Sequence, residues 1–247
     1  MWELGVFAGG VSTPAYPGSV DRVSRTLVLP TVVYRGEILR SDRSGIGARL
    51  FRSEDVELDV GFSASLPASS DAVPARKGMP DLGTLVEFGP RLKWTVSRPT
   101  PSSRLRLELP LRSVLEVQGG VREQGVAFEP TLIYETRDAA SGWSFAASTG
   151  LVVGDSRLNQ YFYGVEPVYA TPSRAAYSAQ AGLIATRLGF TASRAMTPDL
   201  RLFAFARFES YGAAANRTSP LFLESAGHSV GLGLSWTLGR SATRVAN

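Results

Sequence analysis

Cysteine is absent from this chain of 247 residues, histidine occurs once, and no long hydrophobic run is present. A chain without cysteine forms no disulfide and no thiolate metal site, and one histidine supports neither a zinc nor a copper centre. No segment approaches the roughly 18 consecutive apolar residues that identify a transmembrane helix. We therefore expect no metal, no cofactor and no helical membrane domain.

Lysine is also scarce, since the chain carries 24 arginines and only two lysines, with a net charge of +4. The arginines are interleaved with Asp and Glu along the chain instead of forming one basic patch, which argues against nucleic-acid binding. No signal peptide is apparent, because Met1 leads directly into the strand-like segment 2–6. We interpret the sequence as a processed chain with an added start Met.

The segment from Thr84 to Gln118 alternates between apolar and polar residues in two long arms joined by a Pro/Ser turn. A period of two is typical of β-strands, and two such runs with a turn between them predict an antiparallel hairpin. Each arm alternates for about a dozen residues, whereas strands of soluble proteins usually have about 5–6. A strand that crosses a bilayer needs about 9–11 residues. The segment therefore predicts a hairpin of an outer-membrane β-barrel.

The same reading along the whole chain predicts twelve strands, an even number, as bacterial barrels require. The fold class is all-β, a closed antiparallel transmembrane β-barrel, in one domain spanning 1–247 with 239–247 as a C-terminal tail. The predicted strands are residues 2–9, 26–34, 38–51, 56–66, 84–96, 105–117, 126–137, 143–151, 177–184, 187–195, 200–209 and 229–238.

Two features of the sequence conflict with this assignment. Prolines stand inside predicted strands, where each removes a donor of the ladder; they are Pro30, Pro90, Pro110 and Pro130. The longest connections, 67–83 and 154–174, follow even-numbered strands, although long connections should follow odd-numbered ones. Either these segments fold back under or into the barrel, or the strand count is displaced.

Charged residues of both signs share the face opposite the apolar one and are predicted to point into the lumen. They are Glu57, Asp59, Glu87, Arg91, Lys93, Arg104, Arg106, Glu108, Arg112, Glu116, Glu129, Glu135, Arg201 and Arg207. One interpretation is a permeation path whose rings of charge set selectivity. The other, which we favour, is a space-filling network of ion pairs across the lumen that closes it.

Aromatic residues near strand ends predict two girdles at the membrane interfaces. Trp2 and Trp236 would lie at the lower rim with the termini, and Trp94, Tyr134 and Trp143 at the upper rim. A further aromatic run lies within a long connection and consists of Tyr161, Phe162 and Tyr163. It could dock a partner, form a lid in the lumen, or fasten its own loop to the rim.

Six short motifs, in order along the chain, carry a resemblance to a known family; they lie at 14–19, 29–36, 45–50, 159–165, 176–183 and 231–236. Together they resemble the MipA/OmpV family of outer-membrane proteins, named for an interaction with a murein-degrading lytic transglycosylase. The fourth motif differs from the family's Tyr-Phe-Gly-Val loop by an inserted Tyr163. A barrel of this type usually stops on a terminal aromatic residue, while here 239–247 trail on.

The resemblance implies a non-enzymatic structural adaptor in the outer membrane, in contact with lipid, that links the membrane to a lytic transglycosylase and a penicillin-binding protein. A small-solute channel is the alternative, and a soluble ligand-binding barrel is the least favoured class. A Ser-His-Asp hydrolase would have to use His228, which the alternation places on the lipid side. The sequence predicts no oligomeric state.

Overall fold

The computed structural model describes residues 2–35, 39–42 and 45–241. Its strands are β1 (Trp2–Pro14), β2 (Arg22–Arg35), β3 (Leu39–Asp42), β4 (Gly45–Arg52), β5 (Val56–Ala64), β6 (Leu85–Thr100), β7 (Ser103–Val117), β8 (Val121–Phe128), β9 (Thr131–Arg137), β10 (Trp143–Gly154), β11 (Gly182–Ala195), β12 (Leu200–Ser210) and β13 (Ala226–Arg240). Helix α1 (Ser156–Tyr163) lies between β10 and β11. None of the helices in the described residues is long and apolar enough to cross a bilayer.

The strands close into a ring of antiparallel pairs. Strands that follow one another in sequence pair with each other, except β8 and β9, and β13 pairs with β1 from Ser12 opposite Val230 to Glu3 opposite Arg240. The predicted hairpin of 84–118 is the pair β6 and β7, in which Leu92 lies opposite Leu109. The predicted closed antiparallel barrel is confirmed.

The barrel has twelve strands when β8 and β9 are counted as two parts of one, because both pair with β7 and both pair with β10. The count of twelve agrees with the prediction, but only because two errors cancel: one predicted strand is two strands in the structure, and two predicted strands are one. The predicted strand 38–51 reverses direction between β3 and β4, which pair with each other. The predicted strands 187–195 and 177–184 are not two strands, since β11 continues unbroken through residues 185 and 186.

The corrected strand order places every long connection at one end of the barrel, because strand direction alternates. These four connections emerge at what we call the loop rim; they are residues 15–21, 65–84, 155–181 and 211–225. The other end, the terminal rim, carries Trp2, Arg240 and the short turns, such as 53–55 and 101–102. The long connections were predicted to follow even-numbered strands because the missed reversal between β3 and β4 shifted the number of each strand from β4 to β10 by one.

Two of the four prolines, Pro110 and Pro130, lie where the ladder is already interrupted, whereas Pro30 and Pro90 lie within strands, opposite Val6 and Val60. Pro130 separates β8 from β9, and across from it β7 changes partner between Glu108, paired in β9, and Leu111, paired in β8. Pro110 lies at this junction, where its carbonyl accepts a hydrogen bond from the Glu129 N–H at 3.2 Å. A residue without a backbone donor is tolerated at such a break.

The outward face is apolar along the strands, with exposed side chains such as Leu92, Leu111, Phe190, Leu232 and Leu234. A soluble protein rarely exposes so many large apolar side chains in one continuous belt, whereas a membrane barrel requires it. The belt matches the apolar set of the sequence alternation.

The five predicted girdle residues lie in the half of the barrel near the terminal rim. Trp2 begins β1, and Trp143 begins β10 immediately after the turn 138–142. Trp94 pairs with Val56, the first residue of β5, and Tyr134 and Trp236 lie in the same half. The assignment of Trp94, Tyr134 and Trp143 to the opposite rim was wrong, because the displaced count reversed the direction of their strands.

The last strand extends further than predicted. Arg240 pairs with Glu3, and the Ser241 N–H donates to the Trp2 carbonyl at 3.0 Å. The first residues of the predicted tail thus complete the barrel seam, and residues 242–247 lie outside the described part of the chain.

Candidate functional site: the lumen and its cap

The inner wall carries a ladder of ion pairs that the register of β5 and β6 builds. Asp59 lies opposite Arg91, and Glu57 lies opposite Lys93. Arg91 binds both carboxylate oxygens of Asp59, at 3.0 Å from Nε and 2.8 Å from Nη2. Lys93 Nζ lies 2.7 Å from Asp59 Oδ2 and 3.1 Å from Glu57 Oε1. Because these side chains are largely withdrawn from solvent, their mutual pairing offsets the cost of desolvation.

The ladder continues onto β7 and β9. Glu108 Oε2 lies 3.6 Å from Arg91 Nη1, and Glu108 Oε1 lies 2.9 Å from Arg106 Nε. Glu135 then accepts contacts from Arg106 Nη2 at 2.8 Å and from Arg104 Nε at 2.6 Å. Each contact lies within one strand or joins strands that are adjacent in the sheet, so this network follows the wall.

A second charged cluster lies nearer the loop rim. Arg112 Nη1 lies 3.1 Å from Glu87 Oε2 and 3.2 Å from Glu129 Oε2. The other oxygen of Glu129 lies 3.2 Å from Arg187 Nη1, and Arg187 Nε lies 2.6 Å from Glu209 Oε1. This cluster joins β6 and β7 to β11 and β12.

These pairs leave a cavity of about 3300 Å³ inside the barrel. Its lining begins at turns of the terminal rim, 53–55 and 101–103, and reaches Arg112 and Glu129. Among the described residues, the lining includes Ser65 and Leu66 but nothing else from the four long connections. The cavity therefore opens at the terminal rim and ends below the loop rim. The first network runs along the wall and leaves the lower lumen open, which differs from the expectation of pairs that fill the lumen, whereas the second cluster bridges β7 and β11 through Glu129.

Helix α1 enters the barrel mouth at the loop rim. The Asp155 carboxylate accepts a hydrogen bond from the Leu158 N–H at 2.8 Å, which satisfies a free donor of the first helical turn. Leu158 belongs to a buried cluster with Val114, Val152 and Ile184 of the wall strands. The inner wall, which is charged below, is therefore apolar where the helix packs against it.

Asn159 fixes this helix in the mouth. Its Nδ2 donates to the Gly154 carbonyl at 2.9 Å and to the Asp155 carbonyl at 3.0 Å, while its Oδ1 accepts from Asn216 Nδ2 at 2.8 Å. Both asparagines are fully buried. The amide pair thus ties α1 to the connection between β12 and β13.

The four long connections pack over the helix and together form what we call the cap. A second buried cluster is their common core, made of Tyr16, Ala68, Val73, Met79, Leu82, Val165 and Leu221. The Tyr16 hydroxyl donates to the Leu221 carbonyl at 2.7 Å, and Arg76 lies over the Tyr16 ring at 5.8 Å from its centroid. Burial raises the pKa of Tyr16 to about 12. Tyr16 of the motif at 14–19 therefore belongs to the core that holds the cap together.

The aromatic run predicted as a docking loop or lid belongs to α1 and is largely buried. Tyr163 is fully enclosed, and the Phe162 carbonyl accepts a hydrogen bond from Arg76 at 3.2 Å. The Tyr161 hydroxyl donates to Glu116 Oε1 at 2.9 Å, and burial together with this carboxylate raises the pKa of Tyr161. Glu116, predicted to line the lumen, instead lies outside the cavity lining as a hydrogen-bond acceptor of the cap.

The remaining predicted lumen residues, Arg201 and Arg207, lie on the inward face of β12 at opposite ends of that strand. The predicted set of lumen-facing charges did not include Arg49, Arg187 and Glu209, although all three are part of the ion-pair networks. The register would have identified Arg187, because Arg187 lies directly opposite Glu209. Dividing β11 into two strands hid that pairing.

His228 lies on the outer face of β13, opposite Phe208 of β12, and is exposed. Its neighbour Ser229 is buried and faces inward, so the two side chains project from opposite faces of the wall. Within the described residues, no group of three or more His, Asp and Glu side chains is arranged to hold a metal ion.

Comparison with known proteins gives a family and a fold. A family model described as "MltA-interacting protein MipA" matches residues 6–238. An outer membrane channel from Pseudomonas putida F1 has 14% identity and a TM-score of 0.51, covering 96% of this chain and 95% of that one. Outer membrane phospholipase A from Escherichia coli has 11% identity and a TM-score of 0.41, covering 95% and 92%. No curated protein sequence matches.

Proposed function

This chain belongs to the MipA family of outer-membrane β-barrels, and from this premise we propose that it is a non-conducting adaptor for a murein-degrading lytic transglycosylase. The observation that carries the proposal is the shape of the lumen, a cavity of about 3300 Å³ that opens at the terminal rim beneath a cap. Short turns of bacterial barrels face the periplasm. The opening would thus face the compartment that contains murein and its enzymes.

The cap supports the absence of conduction. Its helix α1 packs into the mouth through Leu158, and its hydrogen bonds extend from Asn159 to the connection that carries Asn216. The charged cluster below the cap adds a second barrier, because Arg112 and Arg187 pair with carboxylates that converge on them. A solute would have to displace both layers to pass from rim to rim.

The terminal rim supports a docking role through its chemistry. It presents exposed ion pairs, including Arg98 Nη1 at 2.5 Å from Asp55 Oδ1 and Arg240 with Asp199. Pairs of this kind contribute little to folding, since solvent screens them. Such charges instead favour recognition and orientation of a charged partner. A penicillin-binding protein is a second partner that the family resemblance implies for the same surface.

A solute channel is the second candidate function. The open, charged lower lumen favours it, and so does the fold shared with an outer membrane channel. Catalysis is not part of the proposal, because His228 lies on the outer face and Ser229 on the inner one.

Binding of purified lytic transglycosylase to the barrel in nanodiscs tests the adaptor function. We expect micromolar binding that Arg98→Glu weakens several-fold, since this variant places a like charge beside Asp55 on the proposed surface. Val168→Asp is the matched control, because Val168 is exposed on the opposite rim within the cap. No binding by the wild type, or loss only in the Val168 variant, would overturn the proposal. A steady rim-to-rim current would favour the channel.

A further inference from the structure

The inner wall is divided into a charged half and an apolar half. The ion pairs described above occupy β4 to β11 and reach β12 at Glu209, whereas β12, β1 and β2 also line the same cavity with apolar side chains, and β13 lines it mostly with glycine and serine. Those side chains include Phe7, Val11, Leu27, Val33, Phe203 and Phe205. Apolar groups that face a water-filled cavity are unfavourable unless something covers them. This half of the wall therefore suggests a ligand.

Glycines on the wall make room for two of the aromatic rings. A Cβ atom on Gly231 would lie 2.3 Å from Cε1 of Phe205, and one on Gly233 would lie 2.5 Å from Cε2 of Phe7. A Cβ atom on Gly9 would lie 2.8 Å from Cζ of Phe7. Since no side chain fits at these distances, the rings lie directly against the backbone of β13 and β1. They form a shallow apolar surface that still leaves the centre of the lumen free.

A guanidinium lies beside this surface. Arg207 follows Phe205 by two residues on β12, so both side chains face the lumen, separated along the strand by roughly 6.6 Å. Arg207 Nη2 lies 3.3 Å from Ser229 Oγ, and Arg207 Nε lies 3.7 Å from Glu209 Oε1, which is beyond hydrogen-bonding distance. Glu209 makes its short contact with Arg187 instead, at 2.6 Å.

Arg207 is thus more weakly paired than the other guanidiniums of its cluster. Its side chain is 39% exposed, against 28% for Arg187 and 13% for Arg112. Its Nε is buried without a hydrogen-bond partner in the described structure, as is the Nε of Arg112, so the accessible part of Arg207 lies elsewhere on the side chain. A carboxylate that approached from the lumen would meet this more exposed guanidinium, which lacks a short contact to Glu209, and would form a charge-assisted hydrogen bond with it.

We propose that the cavity binds a small amphipathic carboxylate, with its apolar ring or chain on Phe7 and Phe205 and its carboxylate on Arg207. The apolar part would cover the exposed rings, and the anion would pair with the guanidinium, which has no short contact to a carboxylate of the described residues. The entrance at the terminal rim makes the site accessible from the periplasmic side. The proposal goes beyond the adaptor function and does not depend on it, because it requires only the lower lumen.

The test uses 4-(4-fluorophenyl)butyrate as the probe and fluorine NMR of the full-length barrel in nanodiscs. We expect saturable binding beyond that of empty nanodiscs, and weaker binding of the uncharged 4-(4-fluorophenyl)butanol. Arg207→Gln should weaken binding of the carboxylate about tenfold to a hundredfold, as loss of a charged hydrogen bond implies, and should leave binding of the alcohol unchanged. Phe205→Ala should weaken binding of both probes.

Phe190→Ala is the matched control, because Phe190 projects outward from the neighbouring strand β11 and should not affect binding. Arg207→Lys keeps the charge and should retain part of the carboxylate preference, which separates loss of the site from loss of the fold. Equal binding of the two probes to the wild type would overturn the anion assignment. Absence of saturable binding, or binding that neither Arg207→Gln nor Phe205→Ala alters, would overturn the site.

Discussion

The cap can be loosened at one residue by removing its hydrogen bonds. Asn159→Leu replaces a fully buried amide by a side chain with the same branching and number of heavy atoms, and removes three hydrogen bonds, to Gly154, Asp155 and Asn216. A hydrogen bond contributes about 0.5–1.5 kcal/mol net, and a buried group left without a partner costs about 1–3 kcal/mol. We therefore expect the free energy of cap opening to fall by about 3 kcal/mol, which is about 150-fold in the open population.

Amide hydrogen exchange measures this opening directly, because exchange of the α1 amides requires the helix to leave the mouth or to unfold. We expect exchange at the Asn159 and Gly164 amides, both bonded within the helix, to accelerate about 100-fold or more. Amides of β1 and β13 should be unaffected, since they belong to the barrel seam.

Arg157→Ala is the control for this measurement. Arg157 lies on the same helix, but its ion pair with Glu123 is exposed on both sides and contributes about 0–1 kcal/mol. Exchange in this variant should stay within a few-fold of the wild type. If Asn159→Leu also changed exchange by less than about threefold, the amide would not hold the cap and the reasoning would be refuted.

Three further predictions concern the wall and the cap. Leu232→Arg, on the outer face in the middle of β13, should destabilise the barrel by about 2–4 kcal/mol in an unfolding titration in lipid. Leu238→Arg, on the same face near the terminal rim, should destabilise it by about 0–1 kcal/mol. Equal costs would contradict the assigned membrane depth. Asp59→Asn leaves Arg91 and Lys93 without their shared carboxylate and should cost about 3–5 kcal/mol in the same titration, of which adding Lys93→Met should restore part. Burial raises the pKa of Tyr16 to about 12. The neutral phenol therefore contributes its full stabilisation of the cap below the unfolded pKa of about 10, and this contribution is lost as the pH rises toward 12. After division by the base-catalysed intrinsic rate, the protection of the cap amides should therefore fall in that window, and unchanged protection would show that the Tyr16 phenol is not buried.

The alternation of apolar and polar residues was sufficient to predict the barrel wall but not the cap. Asp59 and Arg91 could be placed on the inner face because side chains alternate along a strand. Their direct pairing also follows once the order of strands is known, since opposite residues of an antiparallel pair are neighbours. The prediction of two strands in place of β11 failed because no local signal in the sequence shows whether Ala185 and Thr186 form a turn or continue a strand.

The apolar half of the lumen was missed for a different physical reason. The rule that apolar residues of a barrel face lipid holds for Leu232, but Phe205 and Phe7 face inward, where Gly231 and Gly233 leave room for their rings. This arrangement depends on contacts between β12, β13 and β1, and β1 and β13 are far apart in sequence. The sequence shows that glycines alternate along β13, but it does not show that aromatic rings of neighbouring strands fill the space beside them.

The cap depended on contacts that the sequence could not supply. Asp155 before an apolar-aromatic segment is a recognisable helix start, and this signal could have identified α1. Its position could not have been found, because Asn159 meets Asn216 and Tyr16 meets Leu221 across long separations in the chain. Loops were therefore predicted where the structure has a packed layer.

The current through single wild-type barrels in a planar bilayer tests the central claim most directly, that the lumen is closed beneath the loop rim and open at the terminal rim. We expect no steady conductance at either polarity, because the cap and the cluster of Arg112 and Glu129 separate the cavity from the loop rim. A steady conductance of porin size from the intact wild-type protein would contradict it.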